Sequence, residues 1–255
     1  MTPNHVKQRL RAGRPAFGTL LHLADPLAAE MMASAGFDWL LVDTEHGPID
    51  LATLATMFAT ITRYPVVPLV RVHALAEENV KRVLDAGAWG VLAPNVRTPG
   101  EAERFVAACK FPPAGGRSLG AGRFALSFRT DPATYFARAN DEILVIVQIE
   151  HVDAVKNIDA ILAVPGVDAC YVGPNDWCAS AGLAPSLEPP HPEFEEAMQA
   201  VLAAARRHGV AAGIHCQSAV TVNRRIAEGW TLVGMVNDHR FLMAGAKAAR
   251  DAVTT

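Results

Sequence analysis

Seven short polar stretches interrupt an apolar chain: Asp43-Thr44-Glu45-His46, Arg71, Pro94-Asn95, Gln148-Ile149-Glu150, Gly173-Pro174-Asn175-Asp176, His215 and Asn237-Asp238-His239. Each ends or follows a short apolar run. Glu150 and Asp176 carry the clearest chemistry, because two carboxylates brought to one point with little to neutralise them invite a hard divalent cation. Mg²⁺ takes only one or two carboxylates from protein and leaves positions for a chelating substrate such as a 2-oxo acid; Mn²⁺ or Co²⁺ accept the same oxygen ligands. The structural alternative is that either residue caps the helix that follows it, since helix N-termini favour acidic groups. His46 is an imidazole able to serve as base or acid near neutral pH, oriented either by Asp43 or by Asp85 from the next unit. Arg71 offers a planar fork to a carboxylate or oxo group, or else forms an ion pair with Asp43 or Glu45.

Other chemistries lack their residues. Lys7, Lys81, Lys110, Lys156 and Lys247 all fall on predicted helices or their ends, so none is placed for a Schiff base, and metal activation of a carbonyl fits better. There is no GxSxG elbow and no GxxxxGK[ST] loop; Gly120-Ala-Gly122-Arg-Phe-Ala125 loosely matches a dinucleotide fingerprint but follows a Pro-rich loop instead of a strand. Cys109, Cys170, Cys178 and Cys216 have no CxxC spacing and read as reduced structural thiols of a cytoplasmic protein. Lys+Arg 23 against Asp+Glu 26 leaves a net charge of −3, without the basic excess that a nucleic acid or anionic membrane would require. No apolar run is long enough to span a bilayer or to act as an export signal.

The elements that must position these groups are legible from periodicity. Eight apolar runs, Ala16–Leu21, Trp39–Asp43, Val66–Arg71, Gly90–Pro94, Leu144–Glu150, Asp168–Val172, Ala211–His215 and Thr231–Val236, alternate with segments of helical spacing such as Leu51, Leu54, Met57, Phe58 and Ile61. Most of the runs are too uniformly apolar to have one wet face, so both faces of the sheet are covered and the strands are parallel. Helices are expected over Leu27–Ala35, Gly100–Cys109, Val152–Leu162, Glu193–His208, Ala219–Glu228 and His239–Val253. For 255 residues, 51% of them hydrophobic and undivided by any linker, this predicts a single α/β domain, a (β/α)₈ TIM barrel over 1–255, ahead of a doubly wound open sheet. Barrel active sites sit at the carboxyl ends of the strands, where the polar stretches fall. The Gly- and Arg-rich segment from Phe111 to Phe128 is longer than a usual connection. It is expected to be either a flexible connection or a wall of N–H groups with Arg117 or Arg123 near an anionic ligand.

In order along the chain, GFDWLLVDTEHGPID, the PLVRV segment containing Arg71, KRVLDAGAWGVLAP, FPPAGGRSLG, LVIVQIE and GVDACYVGPNDW resemble the HpcH/HpaI aldolase family of class II pyruvate aldolases. The resemblance runs from about Gly13 to the C-terminal helix. It implies a (β/α)₈ barrel, a homo-oligomer that is usually a hexamer built as a trimer of dimers exchanging their last helix, and a divalent metal that binds pyruvate. It implies Glu150 and Asp176 as metal ligands, Arg71 as the residue stabilising the pyruvate enolate, and His46 as the base, paired with Asp85. Gln148, Gly173, Pro174 and the loop around Gly116–Leu119, the loop contributed by a neighbouring subunit, are implied to line the oxo-acid site. The implied reaction is reversible cleavage of a 4-hydroxy-2-oxo acid to pyruvate and an aldehyde through an enolate held at the cation.

The sequence departs from the family pattern where the aldehyde should sit. Asn175 stands where a small Ala or Ser is common, Trp177 and Cys178 follow the metal Asp, His215 and Gln217 replace a more apolar stretch, and MVNDHRF with His239 replaces a GxD-type segment. A more polar acceptor pocket, with Asn175 and His215 in its wall, is expected. These departures leave room for a related lyase acting on a CoA thioester or a phosphoenolpyruvate-like acid, and for a barrel that binds an oxo acid without turning it over.

Overall fold

The structure, a computed structural model, describes residues 1–254. Strands β1 (Ala16–Leu21), β2 (Trp39–Asp43), β3 (Val67–Arg71), β4 (Gly90–Ala93), β5 (Leu144–Ile149), β6 (Ala169–Val172), β7 (Ala211–Cys216) and β8 (Leu232–Asn237) close into one barrel in chain order. Every neighbouring pair is parallel, including β8 against β1. The helices are α1 (His5–Arg11), α2 (Pro26–Ser34), α3 (Leu51–Ile61), α4 (Glu77–Asp85), α5 (Pro99–Cys109), α6 (Phe124–Ser127), α7 (Pro132–Glu142), α8 (Val152–Lys156), α9 (Ile158–Leu162), α10 (Pro174–Ser180), α11 (Pro192–His208), α12 (Ala219–Glu228) and α13 (Asp238–Asp251). This is the (β/α)₈ barrel read from the sequence, and each strand lies within two residues of its expected bounds. The single helix expected over Val152–Leu162 is broken at Asn157, which ends α8 and begins α9.

Four helices were not anticipated: α1, α6, α7 and α10. The first closes the amino end of the barrel. Asn4 caps it, and the buried Lys7 donates from Nζ to Ile143 O and to Asp168 Oδ2, both at 2.7 Å, so this buried cation has its counter-charge. The segment from Phe111 to Phe128 does not wall the strand-end site of its own chain. It packs at the amino end of the barrel, where Arg117 is buried and its Nη2 lies 2.8 Å from Asp85 Oδ1. The guanidinium also donates to the Tyr135 hydroxyl and stacks 4.4 Å from the centre of the Phe111 ring.

Two large aromatic side chains fill the barrel interior beneath the site. Trp39 and Tyr171 meet edge to face with ring centres 6.2 Å apart. Glycine on the facing strands makes room for them: a Cβ at Gly18 would lie 2.1 Å from Trp39 Cδ2, and one at Gly234 would lie 2.1 Å from the Tyr171 hydroxyl. Because such interiors are close-packed, Gly234→Ala is expected to destabilise the fold by about 1–3 kcal/mol, read as a lower urea midpoint at unchanged slope. An unchanged midpoint would show that Tyr171 is not held where the structure has it.

One irregularity also shapes the site. Between β1 and β8 the register advances from Gly18↔Gly234 to Leu20↔Asn237, so three steps on β8 oppose two on β1. This bulge carries Val236 at φ +36, a left-handed conformation that a β-branched residue rarely adopts. The Thr19 hydroxyl holds it by donating to Met235 O at 2.8 Å and to Val236 O at 3.3 Å.

Candidate active site

The carboxyl ends of the strands open onto a cavity of about 320 Å³, lined among others by His22, Arg71, Gln148, Asp176, His215 and Arg240, and onto an adjoining pocket that shares His46 and Asp176 with it and is lined by Glu45, Asn95 and Glu150. Glu150 follows directly on β5 and is buried; its Oε1 accepts the Asn95 backbone N–H at 2.7 Å, and its Oε2 accepts from Gln148 Nε2. Asn95, at φ +51, turns that N–H toward it. Asp176 lies in the first turn of α10 but, among the described residues, makes no hydrogen bond to its own helix. Glu150 precedes the α8 cap, which is His151. Neither carboxylate caps a helix through a side-chain hydrogen bond, and only Asp176 stands in a first turn, where a helix N-terminus favours an acidic group.

Burial, and then the charge of Asp176, pushes the Glu150 carboxyl up to about 7. A buried carboxyl raised in this way by its neighbour's charge marks a site that a cation would relieve. The room for it is built in: a Cβ on Gly173 would stand 2.8 Å from Glu150 Oε2 and 2.9 Å from Gln148 Nε2, so only glycine keeps that space open. Gln148 Oε1 is buried there without a hydrogen-bond partner among the described residues. Among the described residues no group of three or more His, Cys, Asp or Glu assembles as a metal cage. Two carboxylates with the remaining positions left to water and substrate is the donor set that Mg²⁺-like ions take. The residues present therefore fit a divalent metal.

Arg71 crosses the mouth from β3. Its Nε donates to Asp43 Oδ1 at 2.9 Å, its Nη2 lies 2.5 Å from Asp43 Oδ2, and its Nε is 3.2 Å from Glu45 Oε2. Both ion pairs weighed from the sequence are thus made, and the arginine still lines the cavity. Burial alone would raise the Asp43 carboxyl, but contact with His22 and the hydrogen bonds from Arg71 outweigh it and hold the group well below the ordinary carboxylate range. Burial pushes the Glu45 carboxyl up.

His46 is exposed at the rim, with Nε2 3.8 Å from Glu45 Oε2 and its backbone N–H directed at Asp43. The expected pairing of His46 with Asp85 does not occur within one chain. Helix α4 runs back from the carboxyl end of β3 to the amino end of β4, so Asp85, its last residue, lies at the opposite end of the barrel and pairs with Arg117. Leu119 is likewise carried to that end by its loop; it is exposed and lines no part of this chain's cavity. Gly173, Pro174, Asn175, Gln148 and His215 all line the cavity, as expected.

The sequence reading missed three residues of the wall. His22, the residue after β1, has Nε2 2.7 Å from Asp43 Oδ2, off the N–H axis, and Nδ1 3.3 Å from Asn237 Nδ2. Tyr171 bonds His215 Nδ1 at 3.1 Å. Burial, and then the charges of Arg71 and His22, push His215 down to about 3, so its ring is neutral at pH 7 and Tyr171 fixes its orientation. Arg240 enters from the first turn of α13. The same rule that found His46, a polar residue at a strand's carboxyl end, would have found His22.

The sequence profile of the HpcH/HpaI aldolase/citrate lyase family matches residues 17–238. The 4-hydroxy-2-oxo-heptane-1,7-dioate aldolase of Salmonella heidelberg (strain SL476) is 38% identical over 245 residues, covering 96% of this chain and 92% of that protein. The crystal structure of an HpcH/HpaI aldolase/citrate lyase family protein from Burkholderia cenocepacia J2315 superposes with a TM-score of 0.91 at 36% identity, covering 97% of this chain and 98% of that one. That of an HpcH/HpaI aldolase from Desulfitobacterium hafniense DCB-2 gives 0.88 at 32% identity, covering 96% and 95%.

Proposed function

This chain belongs to the HpcH/HpaI aldolase/citrate lyase family, and from that premise we propose that it is a metal-dependent class II aldolase that reversibly cleaves 4-hydroxy-2-oxo acids to pyruvate and an aldehyde. The observation that carries the reading is the Glu150–Asp176 pair, with Gly173 leaving space beside Glu150, and with Asp176 lining the same cavity as Arg71. Glu150 and Asp176 would hold the divalent metal, Mg²⁺, Mn²⁺ or Co²⁺. When bound, such an ion supplies Lewis-acid polarisation of the 2-oxo group.

The protein's own residues do the rest. Gln148 and the Gly173-Pro174 turn place the oxo acid, Gln148 through the amide whose Oε1 is unpartnered. His46 takes the proton of the 4-hydroxyl; the C3–C4 bond breaks, its electron pair passes to the C2–C3 unit of pyruvate, and the aldehyde leaves. Arg71 stands where negative charge grows on the enolate oxygen, and Asp43 and Glu45 fix its fork before the reaction begins. Protonation at C3 then gives pyruvate. The reverse direction forms the same bond.

His46 still needs a partner, and Asp85 and Leu119 are at the wrong end of their own barrel. We assign both to the mouth of a neighbouring subunit in a homo-oligomer, a hexamer assembled as a trimer of dimers. Exposed apolar side chains support association: Leu242 and Met243 on α13, whose only buried residue is Asp238, together with Leu27 and Met31 on α2. Four free, buried cysteines suit a cytoplasmic location.

The direct test needs no knowledge of the aldehyde. Chelator-stripped protein with pyruvate in D₂O is expected to exchange the methyl protons only after a divalent metal is restored, followed as loss of the methyl proton signal. Persistence of that signal with every metal tried, although pyruvate binds, would overturn the aldolase reading.

A further inference from the structure

One carboxylate supports two groups of the proposed mechanism. Asp43 Oδ1 accepts from Arg71 Nε at 2.9 Å and from the backbone N–H groups of Glu45 and His46 at 3.1 and 3.4 Å, while Oδ2 accepts from Arg71 Nη2 at 2.5 Å. The further group on Oδ2, among the described residues, is the imidazole of His22, with Nε2 at 2.7 Å. His22 lines the cavity, and no step of the mechanism above uses it.

The hydrogen on that ring can be located starting from the backbone. The Arg240 N–H can only donate, so the Asn237 side-chain atom that accepts it at 3.1 Å is the amide oxygen. The amide nitrogen is then the atom 3.3 Å from His22 Nδ1. An amide nitrogen donates and does not accept, so Nδ1 must present its lone pair. An imidazole with Nδ1 bare carries its hydrogen on Nε2, the nitrogen beside Asp43. That contact lies off the N–H axis, and the hydrogen has no other acceptor among the described residues; a small turn of the ring onto Oδ2 completes it.

The ring is also held in place. The His22 backbone N–H donates to Asp238 Oδ1 at 2.9 Å, and the His239 ring has its centre 5.4 Å from that of His22. Asn237, Asp238 and His239 are consecutive at the junction of β8 and α13, so a single turn grips the main chain, the ring face and Nδ1 of the residue after β1. The remaining nitrogen stands on a fully buried carboxylate. Groups locked in this way by their neighbours are what a precisely held site requires.

We propose that His22 is a positioning residue for this reaction: its Nε2 hydrogen fixes the Asp43 carboxylate, and Asp43 in turn holds the Arg71 fork and the turn that carries His46. The inference rests on the aldolase reading above and adds to it a residue that acts through another. Arg71 acts on charge that appears only as the enolate forms, so loosening it is expected to lower kcat and leave the KM for pyruvate unchanged.

The test follows metal-dependent exchange of the pyruvate methyl protons in D₂O. His22→Phe keeps a ring against His239 and removes both nitrogens, whereas His22→Gln offers an amide N–H near the place of Nε2. His22→Phe is expected to lower kcat about tenfold or more at unchanged KM, and His22→Gln to recover most of that loss. A wild-type rate in His22→Phe, or a loss in His22→Gln as deep as in His22→Phe, would overturn the assignment while leaving the aldolase intact. A second readout needs no turnover: nitrogen NMR of histidine-labelled protein, in which the ring signals that vanish in His22→Gln are expected to show a protonated Nε2 and a bare Nδ1. Asn237→Asp keeps an acceptor for the Arg240 N–H and offers another to His22, so there a proton is expected on Nδ1. A proton on Nδ1 in wild type, or a bare Nδ1 in Asn237→Asp, would overturn the chain of contacts from Asn237 to Asp43. Absence of metal-dependent methyl exchange in wild type would instead overturn the aldolase reading and this one with it.

Discussion

Glu150→Gln is expected to lower metal-dependent deuterium uptake into pyruvate about 10³-fold or more, the equivalent of several kcal/mol of lost Lewis-acid stabilisation. The substitution preserves shape and removes one of the two carboxylates proposed to hold the cation. Its effect on stability runs the other way. Burial and Asp176 have already pushed the Glu150 carboxyl up to about 7, so a neutral side chain relieves a repulsion in the metal-free protein. Metal-free Glu150→Gln is therefore expected to melt at or above the temperature of metal-free wild type. Adding metal separates the two again: at a hundred times its Kd, an ion bound only by the folded state contributes about 2.7 kcal/mol, and the variant forfeits this shift. Scanning calorimetry with and without metal reads both effects. A variant that keeps its metal-induced rise in Tm would remove Glu150 from the metal site.

The second large effect belongs to Arg71→Ala, and it has two separable parts. Under the proposed mechanism, loss of the guanidinium that stabilises the enolate is expected to cost about 10²–10³ in rate. It also deprives Asp43, which is fully buried, of its guanidinium and leaves it His22 and the backbone N–H groups of Glu45 and His46, and breaking a buried pair from one side costs about 3–5 kcal/mol. The pH dependence distinguishes the parts. Asp43 is held below its ordinary value of 3.8 in the folded state, so the unfolded chain binds more protons in acid; the stability it contributes is present above about pH 4 and is lost as pH falls below it. Arg71→Ala should flatten that acid-side loss in urea titrations at successive pH values. Arg71→Lys keeps the charge near Asp43 but cannot reproduce the fork to both carboxylates, so it should recover more stability than activity. If the alanine variant loses stability with wild-type steepness in acid, Asp43 does not depend on Arg71.

The strands were legible because a doubly covered parallel sheet demands uniform apolar runs, and nothing else in the chain competes with that pattern. Glu150, Asp176 and Arg71 were legible because they stand at the ends of those runs. Helices α6 and α7 were not, since the eye follows the glycines and arginines of the preceding loop; yet Asp131 followed by Pro132 is an ordinary helix start. The Asp85 pairing was one of two alternatives read from the residues and was singled out by likeness to a family, and chain topology alone argued against it within one subunit, because α4 must end where β4 begins. Arg240 was hidden for a different reason. Its position depends on the bulge at Val236, where a valine occupies a conformation that sequence rules reserve for glycine or asparagine.

That bulge has a consequence for how such enzymes diverge. The wall facing the acceptor is set by the number of residues between Gly234 and α13 as well as by their identity. Deleting one residue there would let β8 realign with β1 and turn the start of α13 by about 100°, withdrawing Arg240 from the opening while the acidic end, built on β5 and α10, stayed in place. Length at a strand end thus works as an inherited variable in its own right. Relatives compared position by position could share every residue of the oxo-acid half and still differ in acceptor through one gap, and engineering of this half should begin with loop length at β8 before substituting Tyr171 or His215, which are tied to the barrel's packing.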